Sequence, residues 1–86
     1  MLDYNSSNEN DGWVIADMEK TMGGALLYIT LTSKDVEILL RPKTTIAIAR
    51  LARSEGYNTL WDMDWPTFEN GIFERVFCFR GKQISG

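Results

Sequence analysis

Residues 13–56 read WVIADMEKTMGGALLYITLTSKDVEILLRPKTTIAIARLARSEG, and their apolar period changes once, from two to about three and a half. Up to Arg41 the apolar residues alternate as on strands. From Thr44 to Glu55 they recur at helical spacing and stop at Gly56. The change predicts a small antiparallel sheet with one main helix on one face, an α+β domain in the order β-β-β-α-β.

Within that stretch, the first strand is expected over Trp13 to Glu19, with Val14, Ala16 and Met18 on one face and Trp13, Ile15 and Asp17 on the other. Lys20 to Gly24 supplies the glycines that a hairpin turn needs. Ala25 to Thr32 is rich in β-branched and aromatic residues. It should turn Leu27, Ile29 and Leu31 inward and the more polar Tyr28, Thr30 and Thr32 outward. Val36 to Arg41 admits two readings. As a strand it places Val36, Ile38 and Leu40 inward; as a helix over residues 34–41, capped by Thr32 or Ser33, it shows a stripe of Val36, Leu39 and Leu40. The strand is preferred, because the run is short and Pro42 closes it.

Thr44 or Thr45 should cap the main helix, with Ala47, Ile48, Leu51 and Ala52 buried and Arg50 and Arg53 opposite. Gly56 is placed to end it in the left-handed conformation. Further on, Asn58 or Thr59 can cap a short helical segment that ends near Trp65, since Pro66 disfavours helix at the residue before it. Asn70-Gly71 reads as a turn. The last strand, Ile72 to Arg80, carries Phe73, Phe77 and Phe79 on one face and Ile72, Val76 and Cys78 on the other, as a central strand or a subunit contact would. Residues 1–11, anchored only by Leu2 and Tyr4, are expected to form a loose arm, and residues 12–86 a single domain.

Composition narrows the chemistry. The chain has 86 residues, one cysteine and no histidine, which removes intrachain disulfides, cysteine-rich metal knuckles and the usual neutral-pH acid–base group. Cys78 lies in an apolar strand and reads as an inert buried thiol. No serine or threonine has a base beside it, and no phosphate loop follows Gly23-Gly24. Catalysis, cofactors and bound metal are therefore not expected. The longest unbroken apolar run, Ala25 to Ile29, spans five residues, too few to cross a bilayer. No basic-plus-apolar leader pattern opens the chain, so the cytoplasm is the expected compartment.

The most unusual local sequence is Trp61-Asp62-Met63-Asp64-Trp65. Its tryptophans share a face on a helix or on a strand. Either they close one end of the core, or they form a contact surface framed by acids, as tryptophan often does at binding hot spots. Asp62 and Asp64 also have the form of a metal pair, but no calcium loop or further ligand cluster surrounds them. The expected partner-binding set is Trp61, Asp62, Asp64, Trp65 and Glu69.

Charge is blocked along the chain. Residues 1–19 hold five acids and no base; residues 54–74 again hold five acids and no base. Residues 34–53 hold five bases against two acids. Such blocks either neutralise one another across the fold or form opposed charged surfaces that steer association. An acidic face that imitates nucleic acid requires the two acid-only blocks to lie together. A nucleic-acid-binding face would instead use Lys43, Arg50 and Arg53, with Tyr28 or a phenylalanine for stacking. The sequence pI near 4.8 weighs against it. The expectation is a small non-enzymatic regulator or inhibitor that binds another protein, of a kind common among phage and mobile-element accessory proteins. Exposed apolar residues of the last strand would permit a homodimer.

Overall fold

A computed structural model describes residues 12–81. The arm expected over residues 1–11 lies outside the described residues. Five strands, Val14–Lys20 (β1), Leu26–Ser33 (β2), Thr59–Met63 (β3), Thr67–Glu69 (β4) and Ile72–Arg80 (β5), form one antiparallel sheet. Two helices, Val36–Leu40 (α1) and Pro42–Ser54 (α2), separate β2 from β3. The sheet runs β1-β2-β5-β3, and β4 pairs with β5 on the same edge as β3. The α+β class, the antiparallel sheet and the helical layer on one face agree with the sequence; the element order is β-β-α-α-β-β-β.

β2 and β5 make the centre, paired over their whole length from Leu26↔Arg80 to Ser33↔Phe73. Their inward residues, Leu27, Ile29, Leu31, Phe77 and Phe79, are fully buried against Leu39 of α1 and Ile48 and Ala52 of α2. Each such side chain contributes roughly 1.5–3 kcal/mol of burial. In β1 the register shifts between Ile15 and Asp17. Ala16 is the extra residue, so Ile15 and Met18 both reach the core side, contrary to simple alternation.

Residues 36–40 are helical, which corrects the preferred strand. Asp35, not Thr32 or Ser33, caps α1 by accepting from the Glu37 amide at 3.0 Å. The Ser33 hydroxyl accepts from the Asp35 amide and donates to the Gly12 carbonyl. With both edges of β2 taken by β1 and β5, a third strand there has no ladder to join. Arg41, preceding Pro42, is extended and separates the helices, so α2 starts at Pro42 with Arg41 as N-cap. The expected cap Thr44 instead lies inside α2, buried, and donates to the Ile38 carbonyl at 2.6 Å.

Gly56 ends α2 as expected, at φ 97°. The Tyr57 amide reaches the Ala52 carbonyl and the Gly56 amide the Arg53 carbonyl, both at 2.9 Å, satisfying the last carbonyls of the helix. The short helix expected after Asn58 is strand β3. The second edge of β5 needs a ladder partner, and that non-local demand overrides the local capping signal.

Candidate functional site

The face of the sheet away from the helices carries no layer among the described residues. Cross-strand pairing decides what lies on it. Glu19, Tyr28, Cys78 and Asp62 form one row across β1, β2, β5 and β3. Asp17, Thr30 and Val76 form the next, and Thr32, Glu74 and Thr67 a third. Glu69 pairs with Ile72 on the same side. Three inter-strand steps make the four-strand row roughly 14 Å wide.

Six carboxylates belong to this face: Asp17, Glu19, Asp62, Asp64, Glu69 and Glu74. The guanidinium there is that of Arg80, 4.8 Å above the Trp61 ring. Two acids of the first acid-only block and four of the second thus meet on one surface. Lys43, Arg50 and Arg53 occupy the exposed stripe of α2 on the opposite side of the molecule. Lys20 and Glu55, 3.7 Å apart, form the one ion pair among the described residues. Among the described residues, most of the acids named above and the basic stripe of α2 therefore lie on different sides.

A shallow depression of about 240 Å³ lies between Tyr28, Asp62, Asp64 and Val76, with Cys78 buried at its base. The Tyr28 phenol is raised above its ordinary value, chiefly by side-chain hydrogen bonding with Cys78 and further by Cys78's charge, burial and Asp62. Such a raised phenol stays neutral and able to donate a hydrogen bond throughout the physiological range.

The expected binding set is divided. Trp61 is 55% exposed and Trp65 74%, so neither closes the core. They are not neighbours on one face, as either regular structure would require. The β3–β5 register shifts between Leu60 and Asp62, leaving Trp61 as the extra residue beside the open face. A second irregularity sets residues 64–66 against residues 75 and 76, between Met63↔Phe77 and Thr67↔Glu74. It turns Trp65 to the helix side, where it lines a cleft with Leu40, Pro42 and Ile46. Asp62 and Glu69 stay on the open face. Asp64 stays there too, but one carboxylate oxygen is engaged, accepting from the Val76 amide at 2.9 Å.

Asp17, Glu19 and Glu74 escaped the sequence reading as site residues, and Tyr28 entered it only as a stacking residue beside the basic helix, because their shared face follows from strand pairing between distant segments. Arg75 also escaped it. Its signal was present, since the alternation Phe73, Arg75, Phe77, Phe79 places a guanidinium on the apolar face of β5. It is buried there, bonded to the Asp64 and Leu39 carbonyls.

No helix among the described residues is long and apolar enough to cross a membrane. A scan against protein-family models gives no match, and comparisons with curated proteins and with solved structures give none either.

Proposed function

We propose that this protein is a small non-enzymatic regulator or inhibitor that binds a basic surface of another protein through its open sheet face. The observation that carries the reading is the convergence of Asp17 and Glu19 from one acid block with Asp62, Asp64, Glu69 and Glu74 from the other. A sheet face that no other described element covers, bearing six carboxylates, presents charge at the spacing of its strands, which favours fast, salt-sensitive association with a positively charged partner. Trp61 and Tyr28 add aromatic area to a surface otherwise held by charge. A nucleic-acid-binding site on another protein has the matching sign, so occlusion of such a site is the inhibitory form of this reading.

The test is affinity capture from cell extract with the wild-type chain and with an Asp17→Lys, Asp62→Lys, Glu74→Lys variant. The expected captured proteins are basic, are released by moderate salt and are lost with the variant. An unchanged captured set with a folded variant overturns the reading.

The second reading rests on Lys43, Arg50 and Arg53 sharing one exposed stripe of α2, with Lys43 and Arg50 flanking Ile46 and Ala47. It makes the helix face a nucleic-acid contact. A low-salt gel shift abolished by Arg50→Glu supports it, and no shift with DNA or RNA removes it.

A further inference from the structure

A second feature lies on the helix side, independent of the open sheet face. Leu40, Ile46, Met63 and Trp65 wall a cleft of about 610 Å³ between the start of α2 and the β3–β4 step. All four are exposed apolar side chains. Phe68, also exposed and packed on Phe73 with ring centroids 4.6 Å apart, stands on β4 beyond the cleft lining.

Arg75 also lines this cleft and is only 6% exposed. Its Nε–H donates to the Asp64 carbonyl and Nη1 to the Leu39 carbonyl, each at 2.8 Å. A guanidinium has five N–H donors, so three remain. No carboxylate among the described residues pairs with it. The Phe77 ring, 5.3 Å away, compensates the charge only in part. A buried charge is ordinarily matched by an opposite one, and here the unmatched cation borders an apolar cleft.

The start of α2 adds to the same field. Its N-cap, Arg41, makes no side-chain capping bond, and its first turn holds no acid. Pro42 and Thr45 border the cleft. A helix N-terminus in this state favours an anion.

We propose that the cleft docks a peptide segment of a partner protein in which a bulky apolar side chain lies within two residues of a carboxylate. The apolar side chain fills the space between Ile46 and Trp65, and the carboxylate meets Arg75 and the first turn of α2. A peptide fits better than a single small molecule because a further exposed apolar side chain, Phe68, follows three residues after Trp65, outside the cleft itself.

The test uses a displayed random heptapeptide library with the protein as bait. Enriched sequences are expected to join Trp, Phe, Leu or Ile to Asp or Glu within two positions. An enriched peptide, once synthesised, should shift the Arg75 Nε–H resonance. It should bind about tenfold or more tightly than its twin carrying Asn and Gln for the acids. Ile46→Glu, at an exposed position of α2, should weaken binding by about tenfold or more, whereas Trp61→Glu on the open face should not. That last control separates this site from the sheet-face reading. The proposal is overturned by absence of enrichment, by basic or uncharged consensus sequences, or by binding indifferent to Ile46→Glu. Saturation of the cleft by octanoate without peptide enrichment also overturns it, and reassigns the site to small apolar acids.

Discussion

The Asp64 carboxylate accepts the Val76 amide at 2.9 Å, while the Asp64 amide donates to the Val76 carbonyl at 3.1 Å. The side chain stands in for the Asp64 carbonyl, which is given instead to Arg75 Nε. One aspartate thereby keeps the ladder continuous across the irregularity that turns Trp65 toward the helices.

Asp64→Ala should therefore cost about 1 kcal/mol, the usual net value of a hydrogen bond, with partial exposure keeping it from being larger. Asp64→Asn keeps an acceptor oxygen and should lose less. Urea unfolding of the three proteins checks the order. Equal losses for alanine and asparagine would show that the Val76 bond does not hold the step.

Arg75 ties the end of α1 to the same step, so its removal strips partners from two carbonyls at once. Arg75→Ala should cost about 2–6 kcal/mol, from roughly 1–3 kcal/mol for each acceptor left without a bond. Arg75→Lys carries the charge but lacks the fork needed to reach both carbonyls, and should recover only part of the loss. Thermal or urea denaturation separates the three. Full recovery by lysine would mean that charge, not the fork, is what the fold requires.

Thr44 closes the junction between the helices through its 2.6 Å bond to the Ile38 carbonyl in a buried setting. Thr44→Val conserves shape and removes the donor, so the carbonyl loses its side-chain partner. A cost of about 1–3 kcal/mol is expected. Hydrogen exchange should show faster opening of α1 amides than of β2 amides, because the change acts on the junction. Uniform acceleration in both elements would contradict that local role.

The parts legible in the sequence are those set by local chemistry. Asn70 at φ 56° and Gly71 at φ 81° form the tight turn that their residue types announce, because few other residues enter that region cheaply. Gly56 ends α2 for the same reason. The inward phase of β2 and β5 was readable from alternation. Hidden from that reading were the irregularities at Ala16, Trp61 and residues 64–66, each of which flips the phase of the residues beyond it. The strand identity of residues 59–63 was hidden too, since it answers the unpaired edge of β5. The acidic face depends on pairing between β1 and β2 and between β3 and β5, so no single window of sequence contains it. Trp61 and Trp65 show the consequence: four residues apart, they stand on different sides of the sheet.

Tyr28 reports on the middle of the open face, where it pairs across the sheet with Cys78, itself opposite Asp62. The phenol is raised above its ordinary value of 10.0, first by side-chain hydrogen bonding with Cys78 and then by electrostatic interaction with Cys78, with burial and Asp62 adding to it. The native state therefore holds this proton more tightly than the unfolded chain does. The linked stability is fully present below the unfolded value and is lost as pH rises through the higher folded value, because the unfolded state then binds fewer protons. Phenolate absorbance, taken as the difference between wild type and Tyr28→Phe, should show ionisation above the ordinary range. Cys78→Ala removes the two largest causes and should lower that midpoint most; Asp62→Asn removes the smallest and should lower it less. If Asp62→Asn moved the midpoint further than Cys78→Ala, carboxylate charge would dominate the face, and the thiol contact would not be what holds the Tyr28 proton.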